Sequence, residues 1–125
     1  SIPEEYCEVP GSNKGDYMVC VKKDKFGEGD AELGQLLMTG FFNTLPHVSH
    51  LPQSIVFVNS GILLVLHESS VLEPIQKLEA MGVKILICGT CLEYYKKMDK
   101  LEVGQVSNML DILEQITATG KVIYP

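Results

Sequence analysis

The sequence has little positive charge, no apolar run long enough to cross a bilayer and no secretory start, and each absence removes a class of function. Ten basic residues stand against sixteen acidic ones, for a net charge of −6 and a pI near 4.9. Phosphate backbones are bound by concentrated Lys and Arg. The local cluster here, Lys22, Lys23 and Lys25, is small and interrupted by Asp24, so no nucleic-acid partner is expected. The longest apolar stretch, residues 55–66, is broken by Asn59, Ser60 and Gly61 and falls short of the ~18 residues of a membrane span. Ser1-Ile2-Pro3-Glu4-Glu5 lacks both the basic start and the apolar core of a signal peptide, and the expected setting is the reducing cytoplasm. Internal repeats and low-complexity segments are also absent.

What remains suits one self-sufficient domain. With 46% hydrophobic residues in 125, a full core can form without disulfide or metal staples, so Cys7, Cys20, Cys88 and Cys91 read as thiols at rest. Residues 1–15, with Pro3, Pro10, Gly11, Ser12, Asn13 and Gly15, have linker composition, and the domain is expected over 16–125. Cys7 is then an incidental linker thiol and Cys20 a core residue.

Strand and helix signals alternate. Tyr17–Val21, Ser54–Val58 and Val83–Cys88 are apolar runs of the kind buried on both faces of a sheet. Leu101–Val106 and Val122–Tyr124 complete the expected strands. Asp30 suits an N-cap before a helix with Leu33, Leu36, Leu37, Phe41 and Leu45 at helical spacing, ended by Pro46. Ser70 and Glu73 resemble a capping box before a stripe of Ile75, Leu78 and Met81, with Gly82 as the stop. A short helix is expected from about Cys91 to Met98. Ser107 is read as a cap, followed by an inner face of Met109, Ile112, Leu113 and Ile116. Residues 62–66 carry no clear assignment. The alternation implies a mainly parallel sheet between two helical layers.

In such sheets, chemistry gathers beyond the carboxyl ends of the strands. That rule brings together the Lys23–Asp30 loop, Asn59-Ser60-Gly61, Cys88–Cys91 and the turn at Ser107-Asn108. Within this set, Cys88-Gly89-Thr90-Cys91 is the most informative, because it lies where a strand passes into a helix. Free N–H groups in the first turn of a helix stabilise a thiolate and lower its pKa. Sulfur or redox chemistry is therefore the leading reading. Two buried small hydrophobes and a zinc half-site are the alternatives, the latter lacking a second C-x-x-C within the chain. His47 and His50, framed by Pro46 and Pro52, read as a solvated loop. His67-Glu68 fits a base with its orienter or a surface turn. Gly27 and Gly29 fit an anion cradle or a tight turn, and Glu28 and Asp30 argue against an anion.

Four segments, in order, resemble signatures of the YedF family: Phe26-Gly27-Glu28-Gly29-Asp30-Ala31-Glu32-Leu33-Gly34, Val58-Asn59-Ser60-Gly61, Cys88-Gly89-Thr90-Cys91-Leu92 and Val103-Gly104-Gln105-Val106-Ser107-Asn108-Met109. This is the C-terminal domain of a family named for selenium metabolism, within the DsrE-like sulfur-relay superfamily. The resemblance implies a three-layer α/β/α fold with a five-stranded, mainly parallel sheet, and self-association. It also implies a persulfide-carrying cysteine at the end of the third strand, which matches Cys88. Several relatives have serine or alanine where this chain has Cys91. Such proteins usually carry a small TusA-like domain ahead of this one.

The expected function is sulfurtransferase-like: a sulfur or selenium carrier with Cys88 as nucleophile and Cys91 resolving, serving donor and acceptor proteins. The site is expected to be lined by Gly27, Gly29, Asn59, Ser60, Gly61, Gly89, Thr90 and Asn108, without metal or cofactor. A dithiol oxidoreductase cycling Cys88 and Cys91 and a non-enzymatic oligomeric interaction module are the rival readings.

Overall fold

In a computed structural model, the described residues are 14–125. The expected linker lies outside them except for Lys14 and Gly15, which already pair with Leu51. Five strands, β1 (Met18–Val21), β2 (Ser54–Phe57), β3 (Lys84–Cys88), β4 (Gln105–Ser107) and β5 (Val122–Ile123), form one sheet in the order β4-β3-β2-β1-β5. Every pairing is parallel. β1 and β2 are buried throughout, as unbroken apolar runs in a covered parallel sheet should be.

Right-handed crossovers decide where the helices lie. The steps β1 to β2 to β3 to β4 move one way across the sheet, so α1 (Ala31–Thr44), α2 (Leu72–Ala80) and α3 (Gly89–Tyr94) cover one face. The return from β4 to β5 runs the other way, and α4 (Met109–Ala118) covers the opposite face. The core divides accordingly. Met38, Phe42, Ile75, Leu78 and Leu92 pack with Val19, Val21, Ile55, Phe57, Ile85 and Ile87; Ile112 packs with Met18, Cys20, Val56, Leu86 and Cys88. The three-layer α/β/α fold expected from the sequence is the fold observed.

Several local expectations are corrected. Asp30 caps α1, its carboxylate accepting from the Leu33 N–H, but the buried face is Gly34, Met38 and Phe42, with Leu45 beyond. Leu33, Leu36 and Leu37 point outward, Leu36 being 67% exposed. The face that packs carries Met38 and Phe42, whose ring stacks on Phe57 of β2 with centroids 5.9 Å apart, while Gly34 lets the preceding loop close over the helix, an added Cβ there sitting 2.9 Å from that of Lys25. The proposed capping box does not form: Val71 is the N-cap and Ser69 Oγ accepts from its N–H. Pro74 then falls at the third helical position, where a missing N–H costs no helical bond. The unassigned residues 62–66 belong to a 3₁₀ segment, Asn59–Val65, which buries Gly61, Ile62 and Val65. On α4 only Ile112 of the expected face is buried; Ile116 is partly so, while Met109 and Leu113 are exposed. A lone helix on that face offers one narrow contact line to the sheet.

Candidate functional site

The face switch identifies one place in the sheet. The chain leaves β3 for α3 on one side and leaves β4 for α4 on the other, so the carboxyl ends of these two neighbours mark the topological switch point of the sheet. Cys88 ends β3 and Ser107 ends β4, and the two are paired in register.

Cys88 is also the N-cap of α3, which starts two residues earlier than the sequence suggests. It is 6% exposed. Its Sγ accepts from the Cys91 N–H at 3.4 Å and from the Cys91 thiol at 2.9 Å. Two donors therefore converge on the sulfur that caps the helix. The Cys91 sulfur, half-buried, accepts in turn from the Asn59 N–H at 3.1 Å. Burial pushes the Cys91 thiol pKa up, its hydrogen bond to Cys88 adds to the rise, and the Asn59 N–H opposes both. The pair is thus asymmetric, with Cys91 as proton-bearing donor and Cys88 as acceptor.

Asn59 reaches Cys91 from the first position of the 3₁₀ segment, in left-handed backbone with φ 53. Its side-chain oxygen accepts from the Tyr95 hydroxyl at 3.3 Å. Gly61 is buried where any Cβ would collide with the Val21 carbonyl oxygen, so glycine here lets the segment lie against β1 and present Asn59. A Cβ on Gly89 would stand 3.1 Å from both the Ser107 carbonyl oxygen and Val106 Cγ1, and this glycine seats α3 closely over β4. Thr90 is exposed and Ser60 partly so.

Other expected lining residues have structural work. Gly27 and Gly29 take φ 72 and 130 with nothing within 4 Å of an added Cβ, which marks a backbone turn. That loop folds back on α1, the Phe26 N–H donating to the Gly34 carbonyl. Asn108, in place of Ser107, caps α4 through the Asp111 N–H at 2.9 Å. His67 faces Glu102 at 3.3 Å, away from the role suggested with Glu68. Among the described residues no three His, Cys, Asp or Glu side chains cluster as metal ligands, and no helix is long and apolar enough to cross a membrane. Two positions near the thiols have contacts or pairings that the sequence reading did not give, although the turn at Ser107 was expected at this end of the sheet. Tyr95 follows Cys91 by one helical turn, a spacing that would have revealed it, and Ser107 is the register partner of Cys88.

Fold and site together define a parallel α/β protein of DsrE-like fold with a thiol pair at the sheet's switch point. Its similarity to solved structures places it among known architectures. The structure of MTH1491 from Methanobacterium thermoautotrophicum, a protein of unknown function, is 18% identical with a TM-score of 0.61, over 87% of this chain and 97% of that one. The YchN protein from E. coli is 11% identical with a TM-score of 0.59, over 89% of this chain and 100% of that one. At these identities the likeness is one of fold. No family model matches the chain, and no curated protein matches its sequence.

Proposed function

We propose that the chain is a sulfur carrier of the YedF type, sulfurtransferase-like, with Cys88 bearing a persulfide. The observation that carries this reading is the convergence of the Cys91 N–H and thiol on Cys88 Sγ. The Cys88 thiolate attacks the outer sulfur of a donor persulfide, R–S–SH. A new S–S bond forms at Cys88 as the donor's S–S bond breaks, the electron pair leaves on the donor thiolate, and the product Cys88–S–SH loses its proton to water. No external oxidant is consumed, because the transferred sulfur keeps its oxidation state. An acceptor thiolate then attacks the outer sulfur and takes it as a new persulfide while Cys88 leaves as the thiolate; alternatively Cys91, as a thiolate, attacks Cys88 Sγ, forming the Cys88–Cys91 disulfide and expelling hydrosulfide, after which a small thiol such as glutathione reduces the pair. A selenium cargo would follow the same displacement. The reaction needs the reducing cytoplasm, donor and acceptor proteins, a TusA-like domain being one candidate, and a homo-oligomer as its assembly.

The contact between the two sulfurs also supports a second reading, a dithiol oxidoreductase cycling Cys88 and Cys91 through a disulfide. Intact mass before and after treatment with glutathione persulfide separates the two. In Cys91→Ser, which cannot form the internal disulfide, one added sulfur that reductant removes supports the carrier; no added sulfur there, with a loss of two hydrogens in wild type, supports the oxidoreductase and overturns the carrier.

A further inference from the structure

Ser107 is 8% exposed, and its hydroxyl has no hydrogen-bond partner among the described residues. Burying an unpaired hydroxyl is unfavourable, so its presence calls for a partner that arrives with the chemistry. Its position names that partner. Residues paired in register on neighbouring parallel strands face the same side of the sheet, and Ser107 is paired with Cys88. The close seating of Gly89 against the Ser107 carbonyl and Val106 fixes the start of α3 against the end of β4. Neighbouring strands lie ~4.8 Å apart and an S–S bond is ~2.05 Å long. An added sulfur on Cys88 that lies on the side of β4 would therefore span a large part of the gap between the two paired side chains.

We propose that Ser107 is the donor that binds the outer, anionic sulfur of the Cys88 persulfide, a sulfane-sulfur subsite between β3 and β4. The assignment rests on the carrier reading. Ser54 supplies the contrast: its hydroxyl is equally buried and unpartnered, but it starts β2 opposite Lys84, at the end of the sheet away from the thiols.

The test compares wild type, S107A and S54A, each loaded with glutathione persulfide. Occupancy is read by intact mass and persulfide ionisation by near-ultraviolet absorbance against pH. A hydrogen bond to a charged group corresponds to about a tenfold loss of occupancy in S107A and a rise of about one unit in the ionisation midpoint. S54A should match wild type in both, and the thermal midpoint of S107A should equal or exceed that of wild type, because an unpaired hydroxyl has been removed. Wild-type occupancy and midpoint in S107A would overturn the subsite and leave the carrier reading standing. Equal losses in S107A and S54A would show a packing effect and overturn the subsite as well. A wild type that never loads overturns the carrier reading, and the subsite with it.

Discussion

The backbone N–H of Asn59 donates to the Cys91 sulfur from the far side of β3, across 32 positions of sequence, at 3.1 Å. This bond ties the segment after β2 to the thiol pair, and it depends on Asn59 holding φ 53. Asparagine tolerates that conformation better than residues with an ordinary Cβ environment. Asn59→Ala should cost about 1 kcal/mol and free the Tyr95 hydroxyl, whereas Asn59→Gly should keep the backbone geometry and lose only the Tyr95 bond. Urea denaturation of both variants checks the order.

The two cysteines should not be equivalent. Cys88→Ser should abolish loading from glutathione persulfide, because the attacking sulfur is gone. Cys91→Ser should still load and hold the sulfur longer, because its resolving partner is gone. Persulfide occupancy by mass spectrometry decides the matter, and loading retained in Cys88→Ser would overturn the assigned nucleophile.

Stability should fall on the alkaline side. Burial raises the pKa of Cys20, against an opposing pull from Lys22, and burial together with the Cys88 hydrogen bond raises that of Cys91. A thiol whose folded pKa is raised contributes full stability below its unfolded value, about 8.5, and loses that contribution as pH climbs through the folded value. The urea midpoint should therefore decline above about pH 8.5, and less steeply in Cys20→Val. A flat profile to pH 10 would contradict the assignment.

Gly61→Ala should be among the most damaging small substitutions, at about 3 kcal/mol, since its Cβ would press on the backbone carbonyl of Val21. The 3₁₀ segment would shift, taking Asn59 from Cys91. Denaturation gives the stability cost, and a change in the pH dependence of Cys91 alkylation shows that the site moved with it.

The outward Leu36 and Leu37 of α1 adjoin Phe26, Phe41 and Val48 in a largely apolar depression of about 440 Å³. A face of this kind is normally covered, and the occupant expected here is a second copy of the chain. Light scattering at tens of micromolar should return a multiple of the chain mass, and Leu36→Glu should reduce it to one chain.

The sheet and its order of elements were legible in the sequence because continuous apolar runs ending in Cys88, Phe57 and Val21 leave few alternatives to covered parallel strands. Helix faces were less so. On α1 the spacing of Leu33, Leu36 and Leu37 is a good helical stripe, yet the face that packs carries Met38 and Phe42, and local spacing does not rank one apolar stripe above the other. The thiol pair was visible as a motif. Ser107 was not, because its meaning lies in the register of β4 against β3, a relation between strands that no local pattern carries. A serine before Asn108 reads as a cap until the pairing is known.

On the carrier reading, the sulfur that caps α3 is also the nucleophile, and this would couple a chemical state to a mechanical one. The helix is six residues long, Gly89–Tyr94, and the chain turns away at Lys96 in left-handed backbone, so its first turn has little reserve when the acceptor changes. Loading Cys88 redistributes charge to an atom one bond farther away, and the Cys91 amide loses its anchor. Hydrogen exchange at that amide would then run faster in the charged carrier than in the empty one. Tyr94, almost wholly in solvent on the same short helix, would move with it, so on that reading the helix would act as a gauge of its own cargo.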